Sequence, residues 1–326
     1  MKRRIAVYFT GGTISMRHDP QTLSTKPLLS GQDLLDLMPG IRDLAELEII
    51  DFGCIPGTHM TLPLMMELAG RIRRTLAENQ IDGVVVTHGT DTLEETAYLV
   101  DLVVSSNKPV VFVGAMHSSS EPDWDGPANL NAALRVAASP ASSGLGVLVV
   151  MHGEVFAASE ATKAHTESLA AFESPDFGSL GTVNDGHVTI LRRPQPHLHL
   201  APAGAVEPVQ LIKITVGCDS TLIDACVEHG ARGIVIEALG SGNVPPDCVP
   251  GITRAINSNV PVVMTSRCFR GRVTGRYDYC GGGAQLRELG VMVAEFLSGQ
   301  KARIKLSLAL GVAKDSRELR EIFESS

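Results

Sequence analysis

Residues 83–100 read GVVVTHGTDTLEETAYLV, an apolar β-branched run that meets a cluster of hydroxyls and a carboxylate and passes directly into a helical pattern. That order specifies a strand, a loaded turn and a helix. Thr92 stands three residues before Glu95, the T-x-x-E spacing of a capping box, and Leu93, Ala97, Leu99 and Val100 supply the buried side of the helix. The turn His88-Gly89-Thr90-Asp91 is thereby set at the carboxyl end of a strand and the amino end of a helix, where open α/β sheets bind ligands. Free N–H groups and the helix dipole favour an anion there, while Asp91 offers a carboxylate to a cation. A small zwitterion such as an amino acid suits both.

A second hydroxyl cluster lies upstream. The expected first strand, Ile5 to Phe9, ends in Thr10-Gly11-Gly12-Thr13, where two glycines let the backbone turn tightly and approach a ligand. Neither G-x-G-x-x-G nor G-x-x-x-x-G-K-[ST] is present, so the turn is not read as a phosphate cradle. The polar segment Arg17 to Ser30, with Pro20 and Pro27, reads as a long loop of the kind that forms lids.

Working outward, strands are expected at 48–52, 109–114 and 146–151, with helices near 32–38, 62–78 and 128–138. Pro194, Pro196, Pro202 and Pro208 mark a linker, after which strands near 209–215, 233–237 and 261–265 alternate with helices near 220–229 and 248–257. The predicted fold is α/β: two doubly wound domains, a larger N-terminal one (1–194) with a mainly parallel sheet and a smaller C-terminal one (209–326), joined by residues 195–208.

Composition agrees. Of the 326 residues 44% are hydrophobic and only 4% aromatic, so the cores must be built mainly of Val, Leu, Ile and Ala, which suits parallel strands covered by helices. The net charge of −8, with no basic run longer than Lys2-Arg3-Arg4, argues against nucleic-acid binding. The amino terminus is too short in apolar residues for a signal peptide, and no stretch reads as a membrane span, so a cytoplasmic protein is expected. The six cysteines form no C-x-x-C and read as buried reduced thiols, and His197 and His199 lack a third ligand at zinc spacing, so neither a metal nor a cofactor is expected.

TGGTI and THGTDT together, in this order and separation, resemble the signatures of the bacterial-type L-asparaginases. The similarity continues through KPVVFVGAM, DGPANL, ATKAH and QKARIKLSLALG and so runs along the whole chain. The resemblance implies hydrolysis of the side-chain amide of an amino acid. It implies that Thr13 attacks the amide carbon, that Lys163 works through Thr90 to move a proton and orient water, and that Asp91 holds the substrate α-ammonium. Gly57 and Thr58 fall where the family holds the α-carboxylate, and backbone groups around Gly12, Gly89 and Ala115 would recognise the amide. Asn243 and Asp278 match second-domain groups that in the family reach a neighbouring subunit's site, which implies a homo-oligomer, a dimer or a dimer of dimers (a homotetramer).

A threonine is a weak nucleophile until a base takes its proton, and a lysine serves as that base only when neutral, a state that burial favours and a nearby carboxylate opposes. Attack by Thr13 first and attack by Thr90 first both fit the sequence. The family's lid carries a tyrosine, whereas residues 17–30 contain none, leaving Ser24 or Thr25 in its place. Glutaminase activity, another amide substrate and an amidotransferase-type subunit stay open beside asparaginase.

Overall fold

A computed structural model describes residues 2–19, 24–27, 29–195 and 198–324. The chain divides into two compact units, Met1–Gln195 and Pro196–Ser326.

The first unit is built on an eight-stranded sheet. Its strands are β1 (Arg4–Gly11), β4 (Glu46–Ile55), β5 (Gly83–Thr87), β6 (Val110–Val113), β7 (Val147–Met151), β8 (Glu154–Ala157), β11 (Gly181–Asn184) and β12 (His187–Ile190). A hairpin of β2 (Met16–Asp19) and β3 (Ser24–Pro27) and a short pair of β9 (Thr162–Lys163) and β10 (Phe172–Glu173) stand outside it. The spatial order is β12-β11-β8-β7-β6-β5-β1-β4. From β4 to β7 all neighbours are parallel, and the three remaining pairings are antiparallel.

β5, β6 and β7 are buried at every residue, as continuous Val-rich runs must be when helices cover both faces. Those helices are α1 (Gly31–Asp36), α2 (Leu62–Ala77), α3 (Leu93–Val103) and α4 (Gly126–Ala138). Fully buried Ile5, Leu93, Leu99, Phe112, Leu130 and Leu134 anchor the packing, each contributing on the order of 1.5–3 kcal/mol from burial. The chain leaves β1 to one side for β4 and returns on the other side for β5. The strand order therefore reverses at the carboxyl end of β1, and a crevice opens where such sheets bind ligands.

The second unit has a four-stranded parallel sheet in the order β13 (Val209–Lys213), β14 (Gly233–Ala238), β15 (Val262–Ser266), β16 (Met292–Val293). It carries helices α5 (Thr221–Glu228), α6 (Val249–Asn257), α7 (Gly283–Glu288), α8 (Gly299–Ala309) and α9 (Ser316–Glu324). Lys305 of α8 is buried with its ammonium 4.9 Å from the centre of the Phe323 ring, and burial pushes it down to about 8.

Four expectations are corrected. Thr92 does precede the first residue of α3, but no capping box forms: its hydroxyl donates instead to the Gly57 carbonyl, 2.8 Å away, because a neighbouring turn offers an acceptor that the local sequence does not reveal. α3 is also buried nearly all round, including Glu94, Thr96, Tyr98 and Asp101, rather than on one side. The segment expected to be a loop at 17–30 contains the β2–β3 hairpin, whose ladder pairs backbone groups that a loop would leave to water. Residues 20–23 and 28, and the side chains of Ser24 and Thr25, lie outside the described residues, as does His197. Of the cysteines expected to be buried, only Cys248 is: none of the six is in a disulfide, and Cys54, Cys268 and Cys280 are exposed.

Candidate active site

Four turns at the carboxyl end of the parallel strands meet through glycine backbone. Gly12, just past β1, has φ +81° and ψ −177°, a region open essentially to glycine alone. A Cβ placed there would lie 2.4 Å from the Gly89 nitrogen. On Gly89 it would lie 2.8 Å from the Gly57 Cα, and on Gly114 it would lie 2.8 Å from the His88 carbonyl oxygen and from Cγ2 of Thr90. Thr13 and Thr90 are thus each one residue beyond a pair of backbones in direct contact. Hydrogen bonds lock the arrangement: Gly12 N–H to the Ile55 carbonyl at 3.2 Å, His88 N–H to the Val113 carbonyl at 2.8 Å, and the Ser15 hydroxyl to the Gly12 carbonyl at 2.8 Å.

Thr13 opens a single 3₁₀ turn, Thr13–Ser15, and is half-buried, whereas Thr90 is buried. Lys163 reaches this place from β9, whose pairing with β10 fixes its backbone. Its Nζ donates to Thr90 Oγ1 at 2.9 Å and to Asp91 Oδ1 at 2.7 Å. The lysine side chain is 17% exposed and the aspartate 62%. An ion pair that wet contributes only ~0–1 kcal/mol to stability, so folding alone gives little reason for it.

Other sequence-marked residues fall around this core. Gly57 is buried beside Gly89, and Thr58 next to it is exposed. Ala115, one residue after Gly114, is fully buried. Asn243 and Asp278 belong to the second unit: the Asn243 side-chain oxygen accepts from Gly283 N–H at 3.3 Å, and Asp278 is exposed.

The sequence reading missed His88. It is fully buried with one ring nitrogen, Nδ1, 2.9 Å from the Gly89 carbonyl, which makes it the donor of a neutral imidazole, and desolvation pushes it down to about 4. Its Nε2 takes no partner among the described residues. It also missed the pair Asp125 and Asn129 at the start of α4, whose i, i+4 spacing in DGPAN was the available signal. Among the described residues no group of three or more His, Cys, Asp or Glu could hold a metal ion, and no helix is long and apolar enough to cross a membrane.

The chain matches the family description "Asparaginase, N-terminal" over residues 4–196 and "Glutaminase/Asparaginase C-terminal domain" over residues 208–323. A Deinococcus radiodurans protein described as a probable L-asparaginase is 36% identical over 328 residues, covering 98% of this chain and 97% of its own. A Bacillus licheniformis L-asparaginase is 33% identical over 318 residues, covering 97% and 98%. A crystal structure of a probable cytoplasmic L-asparaginase from Campylobacter jejuni superposes with a TM-score of 0.89 at 32% identity, covering 99% of both chains.

Proposed function

The chain belongs to the asparaginase family, and from that premise we propose that it is an L-asparaginase, converting L-asparagine and water to L-aspartate and ammonia at the Thr13–Thr90–Lys163 cluster. The observation that carries this reading is the contact of Lys163 Nζ with both Thr90 Oγ1 and Asp91 Oδ1 beside the Gly12–Gly89 junction. A lysine held on a buried threonine at the sheet's switch point supplies the parts of an amide hydrolase and little for stability.

Thr13 is the nucleophile in this reading. Thr90 Oγ1 already accepts from Lys163, which draws electron density away from it, whereas Thr13 is half-open to a ligand. The Thr13 oxygen bonds to the amide carbon while its proton passes to the Thr90–Lys163 pair and on to the leaving nitrogen, which departs as ammonia. Water then attacks the Thr13 ester, giving up a proton through the same pair. Aspartate leaves and Thr13 regains its hydrogen.

Asp91, largely exposed beyond its contact with Lys163, takes the α-ammonium. The α-carboxylate lies at the Gly57–Thr58 turn, and backbone groups at Gly12, Gly89 and Ala115 face the amide. Asn243 and Asp278 complete the site of a neighbouring subunit in a dimer or dimer of dimers, and the cytoplasm is the proposed compartment, on the likeness to the Campylobacter jejuni protein.

The test is ammonia release from L-asparagine, D-asparagine, L-glutamine and N-acylated asparagine. L-asparagine should be turned over most efficiently. A preference for any of the others, or no ammonia from any, refutes the assignment.

A further inference from the structure

Ala115 lies in a turn whose two peptide planes are each gripped on one edge. On one side, the Asn129 side-chain NH₂ donates to the Gly114 carbonyl at 3.1 Å. On the other, Asp125 Oδ1 accepts from Met116 N–H and from His117 N–H, both at 3.0 Å. The two grips are joined, since Asn129 Nδ2 also donates to Asp125 Oδ2 at 2.8 Å, and Asn129 Oδ1 accepts from His152 N–H at 2.9 Å. Asp125 and Asn129 are both buried.

In a planar trans peptide the carbonyl and the N–H point in opposite directions. Holding the Gly114 carbonyl therefore aims the Ala115 N–H away from Asn129, and holding the Met116 N–H aims the Ala115 carbonyl away from Asp125. No hydrogen bond reaches either of these two groups among the described residues. The turn thus presents one fixed donor and one fixed acceptor, with Gly114 packed against His88 and Thr90. A primary amide, with its NH₂ and its carbonyl, is the complement.

We infer that Asp125 and Asn129 are positioning residues that hold the Ala115 peptide groups against the substrate's side-chain amide, the Ala115 carbonyl accepting from the amide NH₂. The inference rests on the proposed amide hydrolysis and adds which side chains hold the Ala115 turn in place for it. Loss of one buried partner lets the turn relax, and a shift of about 1 Å near the reacting centre can cost ~10²-fold in rate.

The experiment follows aspartate formation from L-asparagine and from the β-methyl ester of L-aspartate, which keeps the carbonyl and the α-groups but has no N–H to donate. Wild type, Asp125→Ala and Asp125→Asn are compared, with thermal unfolding recorded for each. Asp125→Ala should lose ~10²-fold in kcat on the amide and less than ~5-fold on the ester. Asp125→Asn keeps an acceptor oxygen for Met116 N–H and leaves the Asn129 NH₂ on the Gly114 carbonyl, so it should recover at least ~10-fold of the amide loss. Should Asp125→Ala not fold, Asp125→Ser carries the same comparison, its oxygen being too short to reach both amides. Equal losses on amide and ester, no loss on the amide, or a folded Asp125→Asn no better than the truncation would overturn the inference while leaving the hydrolase reading intact. A wild type inactive on asparagine would overturn both.

Discussion

Lys163 and Thr90, 73 positions apart in the chain, meet with Nζ 2.9 Å from Oγ1. This direct hydrogen bond would let the two side chains act together in the proposed proton transfer from Thr13, so losses at Thr13 and Lys163 should not add. Thr13→Ala and Lys163→Met should each lower kcat by at least ~10³-fold with folding intact, and the double variant should be little worse than either single one. Multiplicative losses in single-turnover rates would show that the residues act separately.

The glycine junction has a mechanical consequence for folding. With φ at +81° and a Cβ that would sit 2.4 Å from Gly89 N, Gly12→Ala combines backbone strain with backbone overlap. A destabilisation of ~2–4 kcal/mol is expected from those two terms together. Urea unfolding should show a lower midpoint with an unchanged slope, and a midpoint equal to wild type would mean that the two turns separate without cost.

Burial of His88 sets an acid limit. Its folded pKa of about 4 lies below the ordinary 6.5, so the unfolded chain takes up a proton that the folded chain refuses. Its contribution to stability is complete above the unfolded value, declines by ~1.4 kcal/mol per pH unit as pH falls from 6.5, and is lost at about 4. Histidine-selective NMR should show one imidazole that stays neutral down to that pH. A buried ring titrating near 6.5 would contradict the desolvation argument.

Much of this was readable in advance. Continuous runs such as VVV in β5 and VLVV in β7 can only be buried strands in a chain so poor in aromatics, and TGGT and THGTDT stand where such strands end. What escaped depends on partners distant in sequence. Thr92 bonds Gly57 rather than capping its own helix because the acceptor comes from another turn. Lys163 sits on a two-residue strand with no periodicity to reveal it, and the polar strands β2 and β3 are too short for alternation to show. His88 looks like any polar turn residue until the strands close over it.

The second unit offers a separate test. Asn243 and Asp278 are proposed to complete a neighbouring subunit's site. Subunits carrying Thr13→Ala mixed with subunits carrying Asp278→Ala should then regain activity, because one of the two sites in each hybrid dimer has both groups intact. Failure to regain any after verified exchange would place Asp278 outside the partner's site.

The junction of Gly12, Gly57, Gly89 and Gly114 is made of main chain, so it holds no side chains that could be exchanged to reshape it. If the proposed site is right, directed evolution toward a longer or bulkier amide must therefore draw its diversity from side chains beside the junction, such as the exposed Thr58. Libraries that randomise the glycines would mostly return chains that do not fold.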